Sequence, residues 1–475
     1  MRPGLGTAAA CHDPVLPGQS PPTAGGGPEP PGSDFLQLRA GDVPAAGKAE
    51  WLAALLRRAI GDGRLGLGSK LPPTRHLAAE LRVSRGVITE AYRLLTEDGH
   101  LSGRRRGGTV VVAAPAPPRT PPPRRADPNP GPDGLFVGAP GYEIFDALRT
   151  TSAPVDLTPG RPDLTAFPRA AWLRAEREVL AGLSAEQLGY GDPRGTARLR
   201  GAVAEWLARN RGFRVEPDEV LIVAGTAQAL TLLGPVLRAG GVGAVAVEDP
   251  GSLGVRQHLR YGGLDTPPVP VDDDGVRVAA LRATGASVVL LTPAHQFPTG
   301  VVTSGPRRRE LLRWAAEDDG LILEDDYDAE HRYDRPPAPA LRALLSERVY
   351  YLGSVSKLLA PALRTGWMVP PPRWRERLLE AKRFTDLGNP VLPQLVLARL
   401  MESGALERHL RTVRARHRRR RDAMIAALAE QLPGAVVHGA AAGLHLTVGY
   451  ASDVPDTELA AAALARGVKC HPLSW

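Results

Sequence analysis

The stretch YLGSVSKLLAPALRTGW, Tyr351 to Trp367, decides the fold of this chain. It opens on an apolar run of strand length, sets Lys357 just beyond Ser354 and Ser356, and reaches Arg364 before the sequence turns apolar again. Arginine does nearly all the cationic work elsewhere, and only Lys48, Lys70, Lys357, Lys382 and Lys469 interrupt it. The two residue types are not interchangeable, because only the amine can lose its proton and attack a carbonyl carbon near neutral pH. A lysine just past a buried strand stands where a parallel sheet presents its chemistry.

Outward from Lys357, the runs VLIVA, GAVAVED, ASVVLL, LILEDD and VYYLG each read as a buried strand, and segments of helical length lie between several of them. The alternation, from about Val155 to Trp475, predicts an α/β domain with a mostly parallel sheet and helices on both faces. A pyridoxal phosphate site needs a lysine, a carboxylate to keep the pyridine nitrogen protonated, and donors for the phosphate. Lys357 supplies the first. Asp325, at the end of LILED, supplies the second, and Tyr327 can donate to the ring's phenolate oxygen. Gly225, Thr226 and Ala227 open a helix after VLIVA, where free N–H groups and the helix dipole favour a dianion. Ser354 and Arg364 add a hydroxyl and a bidentate cation. Taken singly, a strand-end carboxylate is often a solvated loop, a Gly-Thr pair a turn and a lysine a surface group; the order in which they occur is what points to one pocket.

The proline-rich run AAPAPPRTPPPRRADPNPGPDG, Ala113 to Gly134, reads as an extended linker, taken here as residues 113–154. Ahead of it, residues 34–112 have room for three helices and a hairpin, and residues 1–33, rich in Pro and Gly, are expected to be disordered. Trp51 to Ile60 is amphipathic. Pro73 places Thr74 as a helix cap, TRHLAAEL gives a short helix, and SRGVITEAYRLLTEDG a second one capped by Ser84 and stopped by Gly99. HLSGRRRGGTVVV then reads as a two-stranded wing with Arg104, Arg105 and Arg106 at its tip. This is winged helix-turn-helix spacing, so double-stranded DNA is the expected partner.

The net charge of +8 and pI near 9.7 suit an acidic partner, although an Arg-, Ala-, Gly- and Pro-rich composition produces such values too. Cys11 and Cys470 lie at opposite ends of the chain and offer neither a disulfide framework nor metal-ligand spacing, which suits a reducing cytoplasm. Neither a signal peptide nor a membrane span is read. The basic segment ERHLRTVRARHRRRRDAM is taken as a solvated helix face rather than a second DNA reader.

LRRAIGDGRL, LPPTRHLAAEL, VSRGVITEAYRLL and the GGT of the wing closely resemble the GntR family, which implies DNA contacts at Arg75, Arg85 and Thr89 and, in the wing, at Arg105, Arg106 and Gly107. The large block resembles the fold-type I aminotransferases. TPAHQFPTGVVTS, EDDYDAEHRY and GSVSKLLAPALRTGW look like the motifs of the MocR/GabR subfamily, in which such a reader is joined to an aminotransferase-like domain. The resemblance implies Lys357 as Schiff-base lysine, Asp325 and Tyr327 as ring partners, and Ser354 with Arg364 as phosphate ligands. Tyr190, in YGDPRG, matches a tyrosine that reaches the neighbouring subunit's phosphate, which implies a homodimer. The function implied is a transcriptional regulator sensing an amino compound through exchange at the Lys357 aldimine. A working aminotransferase and a degenerate regulator without cofactor are the alternatives.

Three departures from the pattern bear on that choice. Ser252 in EDPGSLGVR replaces an aromatic residue that would stack on the ring, and Phe297 stands where aminotransferases keep an Asn. In the family a further stretch after the GVxVxPLS-like strand supplies the arginine for a substrate carboxylate, whereas here RGVKCHPLSW ends the chain. The domain therefore reads as cut short, with Arg256 as a partial substitute, and this weighs against catalysis.

Overall fold

The computed structural model describes residues 43–104, 108–113, 135–334 and 336–475. The chain divides between Asp127 and Pro128 into two compact units. In the first, α1 (Lys48–Gly61), α2 (Thr74–Leu81) and α3 (Arg85–Glu97) are followed by the hairpin β1 (Leu101–Arg104) and β2 (Gly108–Val111). Ile88, Ala91, Tyr92 and Leu95 recur at helical spacing along α3 and are buried against Leu52 and Leu56 of α1 and Leu77 of α2. Thr74 is the first residue of α2 rather than its cap: Pro73, already fixed near φ −55°, occupies the cap position. Arg82, in the left-handed region at φ 51°, turns the chain from α2 towards α3. The buried hydroxyl of Tyr92 donates to Pro72 O at 2.9 Å and ties α3 to the connection before α2. Lys70 bridges to Val110, so the wing gains a third short partner.

The second unit contains α4 (Ile144–Thr150), β3 (Val155–Asp156), α5 (Arg169–Gly182), α6 (Ala197–Asn210), β4 (Leu221–Val223), α7 (Gly225–Ala239), β5 (Ala246–Asp249) and α8 (Leu253–Tyr261). It continues through β6 (Pro268–Asp272), β7 (Gly275–Val276), α9 (Val278–Ala283), β8 (Val288–Leu291), α10 (Gly305–Glu317), β9 (Leu321–Asp326), β10 (Val349–Ser354) and β11 (Gly366–Val369). Last come α11 (Arg375–Asp386), α12 (Val391–Glu402), α13 (Ala405–Gln431), β12 (Val436–His438), β13 (Thr447–Gly449), α14 (Asp456–Ala465) and β14 (Val468–Lys469).

An eight-stranded sheet in the order β4-β11-β10-β9-β8-β5-β6-β7 organises this unit. The pairs β10–β9, β9–β8, β8–β5 and β5–β6 are parallel, while β11 runs antiparallel to both β10 and β4. All five expected strands are present. β6 was hidden by Pro268 and Pro270, whose missing N–H groups are tolerated because the antiparallel partner on that side, β7, meets β6 only from Val271 onward. Apolar side chains fill both faces: Ile222, Tyr351 and Trp367 pack against α6 and α12 residues such as Trp206 and Leu397, and Val223, Leu323 and Leu352 against α7 residues such as Leu230 and Leu233.

The proline-rich linker ends earlier than expected. Leu135, Phe136, Ile144 and Leu148 are buried together with Ala460 and Leu464 of α14, so residues 135–154 belong to the folded second unit. Residues 1–33 and residues 114–134 of the expected linker lie outside the described residues. Among the described residues no helix is long and apolar enough to cross a membrane.

Candidate functional sites

The parallel strands β9 and β10 end side by side, with Asp325 in register with Leu352. Past Ser354 the chain turns and presents Lys357, half-buried, beside the turn at Gly160. A Cβ on Gly160 would come within 3.2 Å of Lys357 Nζ, and its φ of +69° favours glycine at this turn. Burial lowers the Lys357 pKa from its ordinary value, while the carboxylates of Asp328 and Asp325 pull it back up. The amine is thus held nearer its neutral form than a surface lysine.

Asp325 and Asp326 point to opposite faces of the sheet, as successive strand residues must. Asp326 accepts the Tyr351 hydroxyl at 2.6 Å and pairs with the buried Arg211 guanidinium at 2.5 Å. Asp325 accepts from Thr226 Oγ1 at 3.4 Å and is pushed up to about 7, first by burial and then by the charge of Asp326. A cationic ring nitrogen placed against Asp325 would reverse that cost. Tyr327 donates its hydroxyl to His295 O at 3.1 Å, with His295 Nδ1 3.3 Å away.

The N-terminus of α7 forms the other wall. Gly225 takes φ +77°, a conformation that suits glycine, and a Cβ there would meet Arg364 Nη1 at 3.5 Å. Arg364, itself at φ 45°, donates to Ala224 O at 2.6 Å and keeps an exposed guanidinium at the helix start. Ser354 Oγ donates to Ser356 Oγ at 2.9 Å, and Ala224 N donates to Gln228 Oε1 at 2.7 Å. Gln228 is held in turn by Asp386, which the buried Lys382 ammonium contacts at 2.9 Å. β10, β11 and α7 meet at glycines: a Cβ on Gly366 would stand 2.7 Å from Gly353 O and 3.0 Å from Gly225 Cα.

The expected residues Lys357, Asp325, Tyr327, Thr226, Gly225, Ala227, Ser354 and Arg364 therefore converge on the carboxyl ends of β4, β9 and β10. Tyr190 does not join them within one chain and is 94% exposed. Ser252 caps α8, accepting from Val255 N at 3.4 Å. Arg256, the suggested substitute clamp, is occupied by Asp249 at 2.7 Å and by Glu248 O at 3.0 Å. Sequence reasoning missed Gly160, although the TPGRPD turn carried a signal. It also missed the cluster of His295, Asp328 and His445: Asp328 Oδ2 lies 3.0 Å from His295 Nδ1, and the His295 and His445 rings are 4.7 Å apart. Burial pushes the Asp328 carboxyl up, but His295 outweighs it and holds the group below the usual range. Burial, with His295 adding to it, brings His445 down to about 4.

In the first unit Arg75, Arg85 and Thr89 are exposed at the starts of α2 and α3. Arg85 Nε donates to Thr74 Oγ1 at 3.2 Å, and Thr89 Oγ1 donates to Arg85 O at 3.0 Å, so the two helix starts present one polar face. Arg105, Arg106 and Gly107 lie outside the described residues.

Fold and pocket define a winged helix-turn-helix unit followed by a fold-type I aminotransferase-like unit. Comparison with known proteins agrees. Residues 48–111 match the model of the bacterial regulatory proteins of the gntR family, and residues 154–474 that of aminotransferase class I and II. The pyridoxine biosynthesis transcriptional regulator PdxR of Corynebacterium glutamicum is 32% identical over 89% of this chain and 87% of its own length. The probable rhizopine catabolism regulatory protein MocR of Rhizobium meliloti is 31% identical over 88% and 85%. Kynurenine aminotransferase of Pyrococcus horikoshii superposes on 71% of this chain and 86% of its own with a TM-score of 0.63 at 30% identity. The chain belongs to the MocR subfamily of GntR-type transcription regulators, which carry an aminotransferase class I and II domain.

Proposed function

We propose that this regulator binds operator DNA through its first unit and holds pyridoxal phosphate on Lys357 as the receptor for an amino compound. The observation that carries the reading is the meeting of Lys357, Asp325 and the Gly225 helix start at neighbouring strand ends, with glycines where a bound group needs room. The donor set fits the cofactor. Asp325 is a buried carboxylate in need of a cation, Tyr327 offers a hydroxyl, and Gly225, Thr226, Ala227, Ser354 and Arg364 provide N–H, O–H and guanidinium donors for a phosphate. The cofactor would supply an aldehyde carbon that one amine can exchange for another. A relative in the same fold, the α-aminoadipate aminotransferase of Thermus thermophilus, carries a phosphopyridoxyl-leucine and is 30% identical.

Sensing is favoured over transamination because relatives that this chain matches over nearly its whole length are named as transcription regulators. Tyr190, almost fully exposed in the single chain, is assigned to the phosphate of a second copy, which makes the working form a homodimer suited to paired half-sites. The effector must favour one arrangement of the protein over another to act as a signal.

The test is the visible absorbance of the full-length protein after incubation with pyridoxal phosphate, beside Lys357→Ala. A band present in the parent and lost in the variant is expected. A band of equal strength in Lys357→Ala moves the attachment to another lysine, and no band in either folded protein overturns the cofactor reading.

A further inference from the structure

The cluster behind Tyr327 has a chemistry that neither the regulator reading nor the cofactor pocket uses. His295 and Asp328 are almost completely buried, at 1% exposure each, and His445 is 8% exposed. Such groups are expected to be satisfied by hydrogen bonds. Here they are only partly so: Nε2 of His295 has no hydrogen-bond partner, and the His445 ring has none of good geometry, with only the backbone of Pro298 close to it. One ligand atom from each of the three side chains lies within 4.8 Å of the others.

We propose that His295, Asp328 and His445 form a site for a divalent transition metal of the zinc type. Imidazole and carboxylate are the ligand types such ions take, with bonds of about 2.0–2.2 Å. Two ligand atoms on one tetrahedral ion then stand roughly 3.3 Å apart. The 3.0 Å between His295 Nδ1 and Asp328 Oδ2 is close to that span, so this pair can share an ion with almost no movement. His445, whose ligand atom lies within 4.8 Å of the other two, has at most about 1.5 Å to close against that span. The carboxylate gives the ion a counter-charge in a buried place, and the ion gives the His445 ring a bond.

The enclosure is fitted to the three side chains. A Cβ on Gly443 would overlap the His295 ring, and Phe297 packs edge-on against His445 at 5.0 Å, which limits the directions in which that ring can turn. Three protein ligands leave one position of a tetrahedral ion for water or for an atom of a small molecule, the arrangement of sites that act on a ligand rather than of purely structural ones. His295 Nδ1 also lies 3.3 Å from the Tyr327 hydroxyl, so a metal that takes this nitrogen withdraws a contact from a residue of the proposed cofactor pocket. The ligands come from the segment after β8, the segment after β9 and the segment between β12 and β13. No local spacing in the sequence could have announced them.

The proposal does not rest on the cofactor reading and is tested without cofactor. Tag-free full-length protein, stripped by chelator, is dialysed against zinc or cobalt(II); bound metal is counted by elemental analysis and cobalt is followed by its visible absorption. One equivalent per chain with an intense tetrahedral cobalt band is expected, falling at least tenfold in affinity in His445→Gln and in Asp328→Asn. Absence of bound metal in the folded parent overturns the proposal. Binding that is unchanged in both variants does so too, since the ion is then adventitious and held elsewhere. Because each variant keeps the volume of its side chain, circular dichroism separates lost ligation from lost folding; should both variants unfold, the parent's stoichiometry and band shape still decide.

Discussion

At the scale of single residues, the site sets a buried carboxylate, Asp325, beside a half-buried amine, Lys357. Asp325 keeps its proton up to about pH 7 in the folded, cofactor-free protein, against an ordinary value of 3.8, because burial and Asp326 oppose its ionisation. Between those values the native state binds a proton that the unfolded state has released, so this group's contribution to stability falls as pH rises. Buried histidines such as His445 act in the opposite sense, which makes the difference between two proteins the clean observable. Asp325→Asn, measured without cofactor, should gain stability relative to the parent as pH goes from about 4 to about 7 and gain no more above that. Denaturation midpoints across that range check it, and a pH-independent difference would show that Asp325 is solvated. Lys357, Asp325 and Tyr327 were legible in the sequence because each follows an apolar run that can only be a buried strand, which fixes where its side chain emerges. Gly160, His295, Asp328 and His445 were not assigned roles, because what defines them is contact between segments far apart in the chain.

At the scale of elements, close approach governs what the sheet can tolerate. β10, β11 and the first turn of α7 come together at Gly353, Gly366 and Gly225. A methyl group at 366 has no free direction, since carbonyl and Cα atoms, not flexible side chains, surround it. Gly366→Ala should therefore cost about 1–3 kcal/mol of stability through overpacking and should weaken pyridoxal phosphate more than it weakens the fold, because Gly225 is the residue displaced. Titration of the absorbance band beside a denaturation curve checks this; an unchanged affinity would mean that the phosphate does not sit on α7. Five strands were readable from apolar runs alone. β11 was not, because its residues Gly366–Val369 follow Arg364 so directly that they read as part of a ligand motif. The helix pair of the reader was legible to within a residue, and the one misplaced cap, Thr74, follows from how strongly Pro73 sets the backbone before it.

At the scale of the whole molecule, the chain falls into two compact units. Arg85 lies in the first and Lys357 in the second, so their effects should separate. In the full chain Arg85→Ala should weaken operator binding by about 1–3 kcal/mol where the arginine reads a base, and by less where it holds a phosphate, with the cofactor band intact. Affinity measured at fixed salt, alongside the spectrum, tests this, and unchanged binding removes Arg85 from the reading face. Charge alone could not have divided the chain in this way, since arginines are spread through both units. The start of the second unit was not legible, because it is set by Leu135 and Phe136 burying themselves against α14. The connection between β10 and β11 has a further bearing. Residues 355–365 carry both Lys357 and Arg364, the anchors assigned to opposite ends of one small molecule, and both flanking strands are paired on either side. That segment is a cassette: a single short exchange in the gene would remove both proposed anchors at once while leaving the paired strands around it in place.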